Sequence, residues 1–285
     1  MPELPEVEVT RRGLLPHLPG RTVTAAHWSG KRLRQSMPVK LLKEAICGGA
    51  VASLDRRAKY LLIRMDSGSV LVVHLGMTGK LGIFPQTAAR RTHDHLCLSL
   101  DNGMELRFND ARRFGSVAVW PGAEATRLEE VFSRSQGIEP FGPDFTAETL
   151  ARRAEWRRQA VKLFLMDAKL IAGIGNIYAN ETLFAAGVHP QTPAGSLSLA
   201  QWRRVAACAV DILHRAIAAG GSTVSDFLSS NGQPGWFQLQ LAVYSRHGQP
   251  CAACQELIRK EVIGGRATFF CPRCQPLPAA QSAGD

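Results

Sequence analysis

Tyr60-Leu-Leu-Ile-Arg-Met65 and Val70-Leu-Val-Val-His-Leu75, with Asp66-Ser-Gly-Ser69 between them, are two short β-prone runs. A Ser-Gly step between such runs favours a tight turn, so they read as neighbouring strands. Leu96 to Leu100 and Ser116 to Trp120 repeat the pattern within a region from about Thr22 to Trp120, again punctuated by Gly, Asn-Gly or Ser-Gly. Short strands at such intervals imply a sandwich or a barrel.

Upstream, Pro5 is followed by Glu6, Val7, Glu8, Arg11, Arg12 and Leu14, a short helix with proline in its first turn and acids before bases. Pro2 and Glu3 stand just ahead of it. Downstream, Pro140, Gly142 and Pro143 mark a boundary, after which the apolar spacing becomes helical. Thr146 to Arg158, Val161 to Ile171, Asn176 to Ala186 and Leu199 to Ala219 each carry apolar residues three and four apart. The segment from about Leu239 is too small to fold without a metal.

That last segment holds Cys251-Ala-Ala-Cys254 and, after sixteen residues, Cys271-Pro-Arg-Cys274, with β-prone Ala267 to Phe270 between them. Two such pairs fit one tetrahedral zinc site at the ends of a hairpin, with an iron-sulfur cluster or disulfides as the other readings. Four thiolates leave no open coordination position, so a zinc here is structural. Arg259, Lys260 and Arg266 lie on the same hairpin, where a rigid turn can carry a cation to a phosphate. Cys47, Cys97 and Cys208 sit singly in apolar settings and are expected to be buried spacers.

The chain has 285 residues, room for two domains, and a net charge of +10 that favours a polyanionic partner. Of its 34 basic residues 26 are Arg, which suits bidentate phosphate contacts, although GC-rich codon usage gives the same excess. No run approaches the roughly 20 apolar residues needed to span a bilayer. The acidic opening is the reverse of a signal peptide, so a cytoplasmic location is expected.

Several short motifs occur in one order. They are Pro2-Glu3-Leu4-Pro5-Glu6-Val7-Glu8, Arg57-Ala-Lys59-Tyr60, His74-Leu-Gly-Met77, His93-Asp-His95, Arg112-Arg-Phe-Gly115, Gly173-Ile-Gly-Asn-Ile-Tyr178, Gly220-Gly-Ser-Thr223 and the four-Cys ribbon. Together they resemble the formamidopyrimidine-DNA glycosylase family over nearly the whole chain. The resemblance implies an α+β fold: an N-terminal β-sandwich with flanking helices, a helical helix-two-turns-helix domain and a zinc-ribbon hairpin. The expected boundaries are 1–135 for the catalytic sandwich, 144–236 for the helical domain with a lesion-capping loop, 237–276 for the zinc finger and 277–285 for a mobile tail.

The resemblance also implies the chemistry. The family excises oxidised purines, such as 8-oxoguanine and formamidopyrimidines, from double-stranded DNA and then cuts the abasic strand by β- and δ-elimination. It implies that Pro2, freed of Met1, attacks C1′ through its secondary amine while Glu3 gives a proton to the sugar ring oxygen. Lys59 would hold a phosphate and assist proton transfer, and Arg266 would grip the phosphates flanking the lesion. Met77, Arg112 and Phe114 match the set that fills the gap left by the extruded base. His93, Arg112, Arg157 and Asn176 fall where the family contacts DNA, Asn176 opening a helix whose free N–H groups suit a phosphate.

The family's lid over the extruded base corresponds to Gly220-Gly221 and Asn231 to Gly235. Taken alone, Pro2 and Glu3 read as a helix lead-in, Met77 and Phe114 as core, and Lys59 as solvated surface. Val9, Ala111, Arg157, Trp236 and Gly137 to Pro140 depart from the usual family residues, Trp236 within the lid. The endonuclease VIII branch, which excises oxidised pyrimidines, usually has Gly where Leu4 stands here. A catalytically silent DNA-binding protein is the other alternative. One structural zinc ion, DNA carrying oxidised bases or abasic sites, a monomeric state and no membrane association complete these expectations.

Overall fold

The computed structural model describes residues 2–221, 227–228 and 241–277, and the chain divides into two compact units. The first comprises Met1–Arg134 and Ala216–Leu239; the second comprises Ser135–Arg215 and Gln240–Asp285. The expected mobile tail, Trp236, Met1 and most of the lid lie outside the described residues.

The first unit opens with helix α1 (Leu4–Leu14), followed by strand β1 (Val23–Trp28) and a short helix α2 (Val39–Leu41) that runs into a π-helical turn, Leu42–Ile46. Seven strands follow: β2 (Val51–Arg57), β3 (Tyr60–Met65), β4 (Val70–His74), β5 (Gly79–Pro85), β6 (Asp94–Leu100), β7 (Met104–Asp110) and β8 (Ser116–Trp120). Helix α3 (Ala125–Ser135) comes next, and β9 (Phe227–Leu228) pairs in parallel with β5. Two sheets result, in the orders β1-β6-β7-β5-β9 and β2-β3-β4-β8.

Alternation along β3 and β4 explains why both are apolar almost throughout. Leu61, Ile63, Leu71 and Val73 point into a core shared with Leu81, Leu96, Leu98, Leu106 and Phe108 of the other sheet and with Val7 and Leu14 of α1. Leu62, Val70 and Val72 point the other way, onto Leu128 and Phe132 of α3. A sheet covered on both faces needs apolar residues at every position, which a half-exposed strand does not. The arrangement is a sandwich rather than a barrel.

The second unit contains α4 (Ala147–Ala154), α5 (Val161–Met166), α6 (Asn176–Ala185), α7 (Leu199–Ala218, whose last residues count with the first unit) and the hairpin β10 (Arg259–Ile263) and β11 (Arg266–Phe270). Two helices are shorter than their apolar spacing predicts. α4 begins with Thr146 capping the Thr149 N–H at 3.1 Å, but the chain turns at Glu155 instead of continuing to Arg158. α5 stops at Met166 because the backbone at 168–172 bonds across to 137–138, through Gly137 N to Ala168 O at 2.7 Å and Ala172 N to Ile138 O at 2.9 Å. Leu170 and Ile171 are buried there without being helical. Of the three single cysteines only Cys97 is fully buried; Cys47 and Cys208 are partly exposed, which corrects their reading as buried spacers.

Arg107 of β7, 1% exposed, holds the loop between β5 and β6. Its guanidinium donates to Glu105 at 2.8 Å and to the carbonyls of Ala88 at 2.6 Å and Ala89 at 3.0 Å, with Asp94 at 3.6 Å. Removing this cation leaves two buried carboxylates and two loop carbonyls short of a partner. Arg107→Ala is therefore expected to destabilise the first unit by roughly 3–5 kcal/mol in chemical denaturation; a loss under about 1 kcal/mol would mean that solvent reaches the acids freely.

Candidate active site and candidate metal centre

Pro2 is buried immediately before α1, and Glu3, 1% exposed, caps the helix. The Glu3 N–H donates to Glu6 Oε2 at 2.9 Å, part of a capping box that fixes the entry angle of the chain. One turn later Glu8 accepts from Arg11 at 2.8 Å and Arg12 at 2.8 Å and faces Arg56 of β2 at 3.6 Å, while Arg11 also donates to the Leu54 carbonyl at 3.1 Å. Burial alone would raise the Glu8 pKa, but the hydrogen bonds from Arg11 and Arg12 and the charges of Arg11 and Arg56 hold it below the ordinary carboxylate value. These links tie the helix bearing Pro2 and Glu3 to the β2 edge. Gly221, left-handed at φ 91°, brings the segment after α7 against the Glu6 side chain, where an added Cβ would lie 3.3 Å from Oε1.

Lys59 sits in the two-residue turn between paired Arg57 and Tyr60, next to Ala58 at φ 53°. His74, opposite Tyr60 on β4, packs its ring against that of Tyr60 at a tilt of 56°, with centroids 4.8 Å apart. Burial, then the charges of Lys59 and Arg34, push the His74 pKa down to about 4. Its Nδ1 accepts the Gly76 N–H at 3.0 Å, so the ring is the neutral Nε2–H tautomer.

Asp110, at the end of β7 and fully buried, gathers the loops that carry Met77, Arg112 and Phe114. Its Oδ1 accepts from the Thr78 hydroxyl at 2.6 Å and its Oδ2 from the Gly115 N–H at 2.7 Å. Thr78 Oγ1 then accepts the Arg112 N–H at 3.1 Å. Gly76, at φ 69°, lies so close to this loop that a Cβ would come 2.4 Å from Gly115 N. Met77 and Phe114 are accordingly exposed, at 38% and 45%, and the Arg112 guanidinium lies over the Phe114 ring at 4.7 Å. His93 is exposed at φ 78° and accepts the Asp110 N–H through its carbonyl at 3.0 Å. The loops carrying Met77, Arg112, Phe114 and His93 thus share a single anchor that motif reading did not single out; its signal was the Asp preceding Ala111-Arg-Arg-Phe114.

In the second unit, Asn176 opens α6 and donates from Nδ2 to the Ala267 carbonyl at 3.0 Å, while its buried Oδ1 has no hydrogen-bond partner among the described residues. Lys162 of α5, with no exposure, donates to the same carbonyl at 3.0 Å and to Thr268 Oγ1 at 2.6 Å. Both helices therefore grip β11 directly after Arg266. Gly264 and Gly265, both at positive φ, form the hairpin turn, and Arg266 stands exposed beside it. The structure thus brings Asn176 to the base of the strand that carries Arg266. Arg157 is exposed, with Nε donating to the Arg153 carbonyl at 2.7 Å.

Cys251, Cys254, Cys271 and Cys274 converge with all four Sγ atoms within 4.8 Å of one another. Separations of 3.9 Å for Cys251 and Cys274, 3.4 Å for Cys254 and Cys271, and 3.5 Å for Cys254 and Cys274 bracket the roughly 3.8 Å between thiolates on a tetrahedral ion with bonds near 2.3 Å. The set fits a metal. The surrounding core is small, comprising Val243, Ile258 and Phe269 with two of the cysteines, and Glu181 of α6 accepts the N–H groups of Ala242, Val243 and Tyr244 at 2.7, 2.9 and 2.8 Å.

Residues 1–117 match the family model described as formamidopyrimidine-DNA glycosylase N-terminal domain, 136–228 the formamidopyrimidine-DNA glycosylase H2TH domain and 248–277 the zinc finger found in FPG and IleRS. The chain is 46% identical over 281 residues to the formamidopyrimidine-DNA glycosylase of Alkalilimnicola ehrlichii, covering 96% of this chain and 100% of the relative. To that of Legionella pneumophila strain Paris it is 43% identical over 278 residues, covering 97% and 99%. Among solved structures it is similar to Lactococcus lactis Fpg in complex with abasic-site DNA, with a TM-score of 0.87, 30% identity and coverage of 96% and 100%. MutM in complex with DNA containing carbocyclic 8-oxo-G gives 0.87, 29%, 97% and 100%.

The depressed His74 pKa fixes a pH dependence. The unfolded chain binds a proton near pH 6.5 that the folded protein refuses until about 4, so stability is complete above 6.5 and declines as pH falls between those values. The decline attributable to His74 is at most about 3 kcal/mol. His74→Phe, which keeps the ring against Tyr60, should flatten Tm over this range; an unchanged slope would assign the acid sensitivity to other groups.

Proposed function

The chain belongs to the formamidopyrimidine-DNA glycosylase family, and from that premise we propose that Pro2 is its covalent nucleophile, Glu3 its proton donor and oxidised purines its preferred lesions. It is an oxidised-base DNA glycosylase of base-excision repair, and AP lyase activity is part of the family's chemistry. The observation that carries the site assignment is Pro2-Glu3, buried at the head of α1, whose Glu6 meets the Gly221 turn. The positive end of the helix dipole disfavours a second positive charge, which keeps a terminal amine there neutral and nucleophilic.

The proposed reaction requires removal of Met1, since its peptide bond makes the Pro2 nitrogen an amide. The freed secondary amine forms a bond to C1′ and the glycosidic bond breaks, its electron pair leaving with the base, which takes up the N–H proton that the amine sheds. As the sugar ring opens, O4′ takes the proton of Glu3 and the nitrogen becomes an iminium. That cation acidifies the C2′ proton, whose loss expels the 3′ phosphate, and a second elimination releases the 5′ phosphate. Lys59 and Arg266 hold phosphates, while His93, Arg112, Arg157 and Asn176 make the remaining contacts with double-stranded DNA. Met77, Arg112 and Phe114 fill the gap left by the flipped lesion, supported by their exposure on loops tied to Asp110.

Cys251, Cys254, Cys271 and Cys274 hold one structural Zn²⁺, which when bound supplies crosslinking and no open coordination position. We place the enzyme in the cytoplasm as a monomer; no helix among the described residues is long and apolar enough to cross a membrane.

Borohydride added during incubation with duplex DNA carrying 8-oxoguanine opposite cytosine should trap a crosslink at Pro2. Mass spectrometry of the same material should show Met1 absent. A crosslink that peptide mapping places at a residue other than Pro2, or a strong preference for thymine glycol, would overturn the corresponding assignment. For the metal, elemental analysis should give one zinc per chain. Cys251→Ala should weaken DNA binding while leaving the near-ultraviolet signature of the first unit intact; undiminished affinity in zinc-free protein would remove the finger from the interface.

A further inference from the structure

Helix α4 does not simply fray at its end. Ala154 to Arg157 form a hydrogen-bonded turn, with Arg157 N donating to Ala154 O at 3.0 Å, Glu155 at φ −49° and ψ 133°, and Trp156 at φ 61°. These angles are those of a type II turn, whose third residue favours glycine because a side chain there crowds its own backbone. The turn cannot relax easily. Gly195 N donates to Arg157 O at 3.0 Å, Ala194 N donates to Gln159 O at 2.9 Å, and Gly195 packs so closely that a Cβ would lie 3.0 Å from Ala154 O and 3.1 Å from Arg157 O.

Trp156 therefore occupies a strained position, yet it is 90% exposed and gains almost nothing from burial. Both terms favour its replacement, so folding does not account for it. Strain held against the interest of stability marks a residue kept for binding. Its neighbours identify the ligand. Arg152, Arg157 and Arg158 are exposed, Arg153 is partly exposed, and Glu155 is the one acid within the stretch 152–158.

We propose that Trp156 is a DNA contact, its indole lying against the deoxyribose of a strand whose phosphates Arg157 and Arg158 engage. This rests on the reading that the protein binds DNA. A rigid aromatic plate between guanidinium groups offers apolar surface to the sugar and an Nε1–H to a phosphate oxygen. The contact is independent of sequence and of the lesion, because it touches only the backbone. It gives the loop after α4 a role in holding the duplex that charge alone does not provide.

Full-length Trp156→Gly and Trp156→Phe are compared with the parent protein by fluorescence anisotropy on a duplex containing a tetrahydrofuran abasic analogue, at several salt concentrations. Trp156→Gly should raise Kd by roughly fivefold or more, and Trp156→Phe should stay within about twofold of the parent. Trp156→Gly should also raise Tm by roughly 2 to 4 °C, because glycine relieves the turn. The slope of log K against log salt should be unchanged, since no cation is removed. A Kd within about twofold of the parent, or a Tm that falls, overturns the proposal. A parent protein that binds the duplex but excises nothing overturns the catalytic reading alone, and one that binds no DNA overturns both.

Discussion

Asp110 stands where the last residue of a sandwich strand meets the loops that matter. Its two carboxylate oxygens are committed to different loops, one to the Thr78 hydroxyl and the other to the Gly115 N–H, while its backbone N–H serves His93 and its carbonyl accepts His95 Nε2 at 3.1 Å. A carboxylate without solvent exposure needs its donors, since burying it unpaired is costly. The loops therefore cannot move apart without exposing or stranding that charge. Met77 and Phe114 can then remain exposed and still be held in place, because their backbones rather than their side chains provide the anchoring.

The same logic operates at α1 and at the hairpin. Glu8 fixes the helix behind Pro2 and Glu3 through three guanidinium groups, one of them on β2. Lys162 and Asn176 fix the strand that begins at Arg266 through the single carbonyl of Ala267. In each case a buried polar group constrains the backbone near a proposed functional side chain. Arg266, like Met77 and Phe114, is left exposed, whereas Pro2 and Glu3 are buried at the head of their helix.

Local pattern made the outward-facing and metal-binding parts legible. The unbroken apolar run Val70 to Val73 follows from a sheet covered on both faces, and the four cysteines converge as their spacing predicts. Helix lengths were less legible. Leu170 and Ile171 have helical spacing after Val161, yet their backbone is drawn to Gly137 and Ile138, and periodicity carries no information about a partner some thirty residues away. Asp110, Lys162 and Glu181 were illegible for a related reason. A lone charged residue looks solvated until the fold supplies the N–H or carbonyl that buries it.

Backbone strain follows the proposed function more closely than it follows the fold. Of the six described non-glycine residues at positive φ, Ser245 and Gln255 lie in the cysteine-bearing segment, and the other four are Ala58, His93, Arg113 and Trp156. Ala58 precedes Lys59, Arg113 separates Arg112 from Phe114, Trp156 precedes Arg157, and His93 is itself a proposed contact. Each conformation is unfavourable by about 1 kcal/mol or more for an L-residue, and each lies in a turn pinned by neighbouring hydrogen bonds. A left-handed residue reverses the chain within one step and directs the adjacent side chain outward from a rigid base. Side chains that must meet a phosphate or fill a base-sized gap need fixed direction more than they need local stability, and the sandwich core and the β11 anchor offset the cost of supplying it.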